Sequence, residues 1–207
     1  MQNKRAERPR RKAKQIRALE TVEIILEAAA HVLLDSGYAL STTNRIAKRA
    51  GVSVGTLYEY FANKEEVFDA LIQRELESIV VAVQSREQSP TAPIGEKISQ
   101  LLLAEMRAMR FGPELFRSLE QVPHATFRRR LSEVRRMVED SIKQLLEEHR
   151  AELRVTDLDL AAFMVVSAAE GVGATATSEF FDARLARELA VLLSAYLTGK
   201  VDGPISE

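Results

Sequence analysis

The 207-residue chain predicts an all-α fold of about nine helices. Three observations carry that expectation. Apolar residues recur at three- and four-residue spacing along most of the chain, and no run with the two-residue alternation of a half-buried strand reaches useful length. Glycine and proline punctuate those stretches where helices would stop, at Ser36-Gly37, Ala50-Gly51, Gly112-Pro113, Pro123 and Gly199. With 46% hydrophobic and 29% charged residues, the chain can also bury a sizeable core.

The elements follow in order. Residues 1–16, centred on Arg8-Pro9-Arg10-Arg11-Lys12, read as a flexible basic arm. Val22, Ile25, Leu26, Ala29 and Leu33 then form one apolar stripe of a helix that should end at Ser36-Gly37. Two short helices are expected near 43–50 and 54–60, hinged at Ala50-Gly51-Val52-Ser53. Asn63 should cap a fourth helix, with Glu66 three residues on as in a capping box. That helix runs from Lys64 to about Ser85, roughly 30 Å at 1.5 Å per residue. Ser89-Pro90-Thr91-Ala92-Pro93-Ile94-Gly95 breaks it as a linker. Further helices are expected near 96–110, 113–121, 125–150, 157–180 and 182–198, with Thr156 and Asp159 resembling a cap and Gly199 a stop.

Composition narrows the function classes. Without cysteine there is no disulfide, thiol nucleophile or thiolate metal site. The three histidines, His31, His124 and His149, sit in no zinc motif, and no glycine-rich phosphate loop is present. Nothing sets a nucleophile beside a base, so neither an enzyme nor a cofactor or metal site is expected. No apolar run approaches the roughly 20 residues of a membrane span, and no signal-peptide core follows the basic N-terminus; a cytoplasmic protein with no membrane partner is the expectation. The net charge of −1 hides an asymmetry: residues 1–64 carry 12 Lys+Arg against 6 Asp+Glu, the remainder 17 against 24. A basic first third suits a polyanion.

The hinged pair can form a helix–turn–helix. Ile46, Ala47 and Ala50 supply the apolar face of the bracing helix, Gly51 the turn, Val52 its plug and Ser53 the cap of the second helix. Leu57 and Phe61 face inward, leaving Val54, Gly55, Thr56, Tyr58 and Tyr60 outward or lateral.

The match is longer than a generic motif. Ile24-Ile25-Leu26-Glu27-Ala28-Ala29, Gly37-Tyr38 and the run from Thr42-Thr43 through Ala50-Gly51-Val52-Ser53-Val54-Gly55-Thr56-Leu57-Tyr58-Glu59-Tyr60-Phe61 to Lys64-Glu65 closely resemble the N-terminal domain of TetR-family transcriptional regulators. The resemblance covers about residues 17–70. It implies a three-helix DNA-binding domain at 17–64, a ligand-binding and dimerisation bundle at 65–199 and a tail at 200–207. It also implies a homodimer on double-stranded operator DNA, with a small hydrophobic effector releasing a repressor. Activation, or a second domain that binds a protein or only dimerises, stays open.

Carried over, the resemblance places Thr43 and Asn44 against a phosphate at the start of the bracing helix. Val54, Gly55 and Thr56 open the recognition helix, where Gly55 permits close approach, Val54 can touch a thymine methyl and Thr56 can reach phosphate or base. Tyr58, Tyr60 and Lys64 match phosphate-contacting positions, with packing beneath the motif the alternative for Tyr58. The recognition helix carries no Arg, Gln or Asn for bidentate base reading. Specificity then leans on Arg45, Lys48, the arm and DNA shape. In the arm, Arg10, Arg11, Lys12, Lys14 and Arg17 could enter the minor groove or add counterion-release affinity.

Two features of the later part invite interpretation. The small-residue stretch Ala161 to Ala174, followed by Leu185, Leu189, Leu192, Leu193 and Tyr196, fits either a core or the four-helix dimer interface that the resemblance implies. Leu102, Met106, Met109, Phe111, Phe116, Phe127, Leu131, Met137, Phe163 and Val166 fit a core or an adaptable ligand pocket. Of these, Met106, Met109, Phe111, Phe116, Phe127 and Phe163 are the candidate pocket residues, with Glu170 to orient a ligand or satisfy a partner across the dimer. His124 is read as a solvent-facing loop residue.

Overall fold

The computed structural model describes residues 7–85, 92–122 and 125–200, and the chain divides into two compact units, Met1–Ile72 and Gln73–Glu207. Among the described residues the fold is all-α, as the periodicity required. The helices are α1 (Glu7–Leu40), α2 (Thr43–Ala50), α3 (Val54–Tyr60), α4 (Lys64–Gln84), α5 (Ile94–Ala108), α6 (Gly112–Glu120), α7 (Ala125–Glu148), α8 (Leu158–Thr175) and α9 (Ala183–Thr198). A 3-10 turn, Arg150–Glu152, joins α7 to α8.

In the first unit the apolar stripe of α1 (Ile25, Leu26, Ala29 and Leu33) is buried, as are Ile46 and Ala47 of α2, Leu57 of α3, and Val67, Phe68 and Leu71 at the start of α4, with α1 packed on α2 and α2 on α3. Side chains of this size contribute about 1.5–3 kcal/mol each when fully buried. The helix α1 begins at Glu7, inside the segment expected to be a loose arm, and its regular winding is interrupted at Gly37 (φ 72°, ψ 168°). A short piece beyond the glycine closes on Ser41, whose amide donates to the Tyr38 carbonyl (3.2 Å) and whose hydroxyl donates to the Gly37 carbonyl (2.8 Å). The division between units falls within α4, after Ile72, because the first turns of that helix complete the core beneath the motif.

The second unit is built on α5 against α9 and α7 against α8. Its core takes Ile98, Leu101, Ile142, Leu145, Val165 and Leu193 among others. At Gly95 a Cβ would lie 2.7 Å from Ser194 Oγ, so the missing side chain lets α5 and α9 approach. The α8 cap is Asp157, not Thr156: its carboxylate accepts from Leu160 N–H at 3.0 Å. That helix also stops at Thr175, five residues short of the expected 180, and the cause lies on α6. Arg117 donates to the carbonyls of Ala174 (2.9 Å) and Ala176 (3.0 Å), satisfying groups that a further turn would have used. Among the described residues α8 is the one helix long and apolar enough to cross a membrane, 18 residues at mean hydropathy 1.4, a run the sequence reading passed over. Its Ala161, Ala162, Val165 and Val166 are buried in the core of this unit.

Candidate functional site

The turn between α2 and α3 is fixed by backbone hydrogen bonds. Gly51 takes the left-handed conformation (φ 70°, ψ 22°), its amide donating to the Lys48 carbonyl, while the Val52 amide reaches back to Ala47 (3.1 Å). This is the paired closure of a helix ending on glycine. Thr42 caps α2, accepting from Arg45 N–H at 3.3 Å, and Ser53 caps α3, accepting from Thr56 N–H at 2.9 Å. Asn63 caps α4 by accepting from Glu66 N–H (2.8 Å), and the Glu66 carboxylate returns to the Ala62 amide (2.8 Å). The expected caps Ser53 and Asn63 are in place, and Thr42 supplies a third that the sequence did not single out.

The packing leaves one face uncovered. Leu57 and Phe61 are buried, while Val54 is 37% and Tyr58 51% exposed, and Gly55 lies open between them. Thr56 and Tyr60 are half-buried at the edges. Thr43 and Tyr58 share a hydrogen bond at 3.1 Å between their hydroxyls, tying the first turn of α2 to α3. Asn44 is exposed beside them. Arg45 is exposed too, but its guanidinium donates to the Leu40 carbonyl at 3.1 Å, so reading a base would require it to leave that contact.

Lys64 has a partner of its own. Its ammonium lies 3.9 Å from the centroid of the Tyr38 ring and donates to the Tyr38 carbonyl at 3.1 Å. Tyr38 in turn stacks edge-on against Phe68 (5.2 Å) and donates its hydroxyl to Glu65 (3.3 Å). Burial, then the Glu65 charge, holds the Tyr38 phenol above its usual range. Tyr38 is the positioning residue that sequence reasoning missed; the Gly37-Tyr38 pair had been noted only as part of a resemblance.

The second unit encloses a cavity of about 370 Å³. Of the candidate residues, Met109, Phe116, Phe127 and Glu170 line it, as do Leu102, Leu131 and Val166. Met106 instead packs on the outside of the core cluster, and Met137 is exposed. Phe111 lies beneath the Arg110 guanidinium (5.9 Å) and takes no part in the wall. Phe163 is 49% exposed and stacks under the Arg135 guanidinium (5.3 Å), outside the wall. His124 lies outside the described residues.

Four charged residues of the wall were not anticipated: Glu105, Arg117, Glu120 and Arg135. Arg135 pairs with Glu139 (2.8 Å), with Glu170, and with the Ser167 hydroxyl (2.8 Å). Burial pushes the Glu170 carboxyl up, and the Arg135 charge pulls it partly back. Glu105 stands among Leu101, Leu102 and Met109, and burial together with the Glu170 charge pushes its carboxyl up to about 7. A glutamate one helical turn from each of two apolar wall residues was the available signal, and in a helix of ordinary amphipathic pattern it reads as a surface position. Among the described residues no cluster of His, Asp or Glu could hold a metal ion.

Comparison with known proteins adds an independent line. Residues 25–71 match bacterial regulatory proteins of the tetR family, and residues 93–197 match the tetracyclin repressor-like C-terminal domain. The uncharacterised HTH-type transcriptional regulator YhgD of Bacillus subtilis is 24% identical over 154 residues, 72% of this chain and 80% of that protein. Against several other curated relatives the match spans only 24–31% of their length. A TetR-like transcriptional regulator from Rhodococcus sp. RHA1 superposes with a TM-score of 0.69 at 25% identity, covering 87% of this chain and 97% of that one. The transcriptional regulator FadR of Bacillus subtilis, solved in complex with stearoyl-CoA, gives 0.69 at 21% identity, covering 84% and 98%.

Proposed function

Because this chain belongs to the TetR family of bacterial regulatory proteins, ligand-responsive regulators that bind DNA, we propose that it is a repressor released from its operator by a small, largely apolar effector. The observation that carries this reading is the α4 helix. Its first turns supply Val67 and Phe68 to the core beneath the reading face, and its later turns supply Ile79 to the wall of the cavity. One 21-residue element thus has a stake in both sites. An effector that changes the packing around Ile79 acts on the element that carries Lys64, and a tilt of a few degrees over roughly 30 Å moves the reading face by a few ångströms.

The same reading makes the protein a cytoplasmic homodimer without catalytic activity. Operators read by such motifs carry two half-sites roughly 34–36 Å apart, which a two-fold dimer matches. Leu160 and Met164, one turn apart on α8, and Leu192 on α9 are large apolar side chains left exposed in the single chain. Burial in a partner accounts for them. Thr43, Asn44, Val54, Gly55, Thr56, Tyr58, Tyr60 and Lys64 form the proposed DNA contact, with Arg45 as a base reader once it swings from Leu40. The stearoyl-CoA complex of FadR supports an apolar effector here, as does the cavity lined by Leu102, Met109, Phe116 and Phe127.

Selection from a random DNA pool should enrich a near-palindrome with half-sites one helical turn apart. Compounds that raise the melting temperature should then lower affinity for that DNA by the same linkage. A compound shown to fill the cavity while leaving operator affinity unchanged would end the effector reading.

A further inference from the structure

We infer that the effector is a lipophilic amine, with its protonated nitrogen paired to Glu105 and its apolar body against Leu102, Met109, Phe116 and Phe127. The inference rests on the reading of this cavity as the effector site and goes on to the charge of the ligand. Of the charged side chains in the wall, the two cations are already occupied. Arg117 spends its donors on the Ala174 and Ala176 carbonyls and on Glu114 (3.2 Å), and Arg135 on Glu139, Ser167 and Glu170. An anionic head group would have to break one of these sets. No lysine lines the cavity among the described residues.

Glu105 is in the opposite position. Its carboxylate has no hydrogen-bond donor among the described residues, and it sits in an apolar stretch of the wall. Glu105 is half-buried; a carboxylate that has lost much of its water without gaining a partner is costly, and a cation within contact distance offsets that cost. The surroundings favour a cation further. Glu170 on α8 raises the Glu105 carboxyl, and Glu139, outside the wall, raises that of Glu170, so this end of the wall holds two carboxylates, with a third behind them, against the single Arg135. The other charged wall groups are Glu120 and the committed Arg117, both on α6. The volume, about 370 Å³, lies at the small end of ligand sites, which suits one apolar chain or ring system with one polar head.

The test uses three probes that share a ten-carbon chain: decylamine, decanol and decanoate, each titrated calorimetrically into the full chain below its micelle concentration. At pH 8 decylamine should bind at least tenfold more tightly than decanol, and decanoate more weakly than both. Because the free Glu105 carboxyl is held near 7, amine binding should tighten roughly tenfold from pH 6 to pH 8, while decanol binding stays level. Glu105→Gln should erase the amine preference and leave decanol within threefold. The contrast between probes in the native chain stands even if the variant folds poorly. Equal binding of all three, a preference for decanoate, or no binding of decylamine overturns the inference. If decanol or decanoate binds without amine preference and still lowers operator affinity, the amine inference falls while the effector reading survives.

Discussion

The two units solve opposite problems with the same kind of helix. In the reading unit the helix ends are set by residues close in sequence: Ser53 caps the helix that presents Thr56, and Gly51 turns the chain between α2 and α3, while Tyr38 reaches far along the chain to hold Lys64. In the second unit the chemistry is assembled across long separations. Arg117 reaches α8 from α6, and Arg135 on α7 meets Glu139 beside it and Glu170 far along the chain. The reading face is also satisfied, with caps filled and hydroxyls paired, whereas the cavity keeps a carboxylate in poor surroundings. A surface that must fit one fixed polymer gains from rigidity. A pocket that must respond to a ligand gains from a group that the ligand improves.

That contrast can be broken or sharpened by substitution. The largest effect is expected in the first unit. Phe68 is fully buried and stacks with Tyr38, and Phe68→Ala should cost about 3–5 kcal/mol and abolish operator binding. Calorimetry that showed under 1 kcal/mol would mean the reading unit is less tightly organised than its packing implies.

The second expectation concerns stability in the other unit. Glu105 has a folded pKa of about 7 against 4.5 in the open chain, so folding favours its protonated form. Its cost is absent below pH 4.5, grows as pH rises towards 7 and is complete above that. Glu105→Gln removes the charge, so the variant should gain on the order of 3 kcal/mol over the native chain at pH 8, and the gain should vanish near pH 4.5. Denaturant melts at the two pH values check it, and a gain independent of pH would assign the effect to something other than ionisation.

The smallest effect is local. Ser53→Ala removes the acceptor for Thr56 N–H and should cost about 1 kcal/mol. Operator affinity should fall modestly, and thermal unfolding of the cavity unit should stay where it was.

The difference in legibility follows the same line. The Ser53 and Asn63 caps, the turn at Gly51 and inward Leu57 and Phe61 could be read directly, because each depends on neighbours within about four residues. The end of α8 could not, since nothing in Ala176-Thr177-Ser178-Glu179-Phe180 forbids another turn; a guanidinium on α6 decides it. For the cavity, residue type was informative and facing was not. Phe163 and Val166 are equally apolar in sequence, but they are three positions apart on a helix whose buried side holds only one of them. Glu105 was passed over because a glutamate in an amphipathic helix is normally solvated, and only the surrounding α6, α7 and α8 make it otherwise.

Arg117 also sets how this part of the molecule opens. Its side chain holds the last carbonyls of α8 from a helix 57 residues earlier in the chain, and the same two segments carry Phe116, Gly173 and Ala174 of the cavity wall. Fraying of the last turn of α8 therefore breaks contacts made from α6, which couples the two segments at that point. The amides at the end of α8 and those of α6 near Arg117 are expected to lose protection together in hydrogen exchange. A ligand that entered through this side of the wall would then be clocked by a single opening event, not by two independent ones.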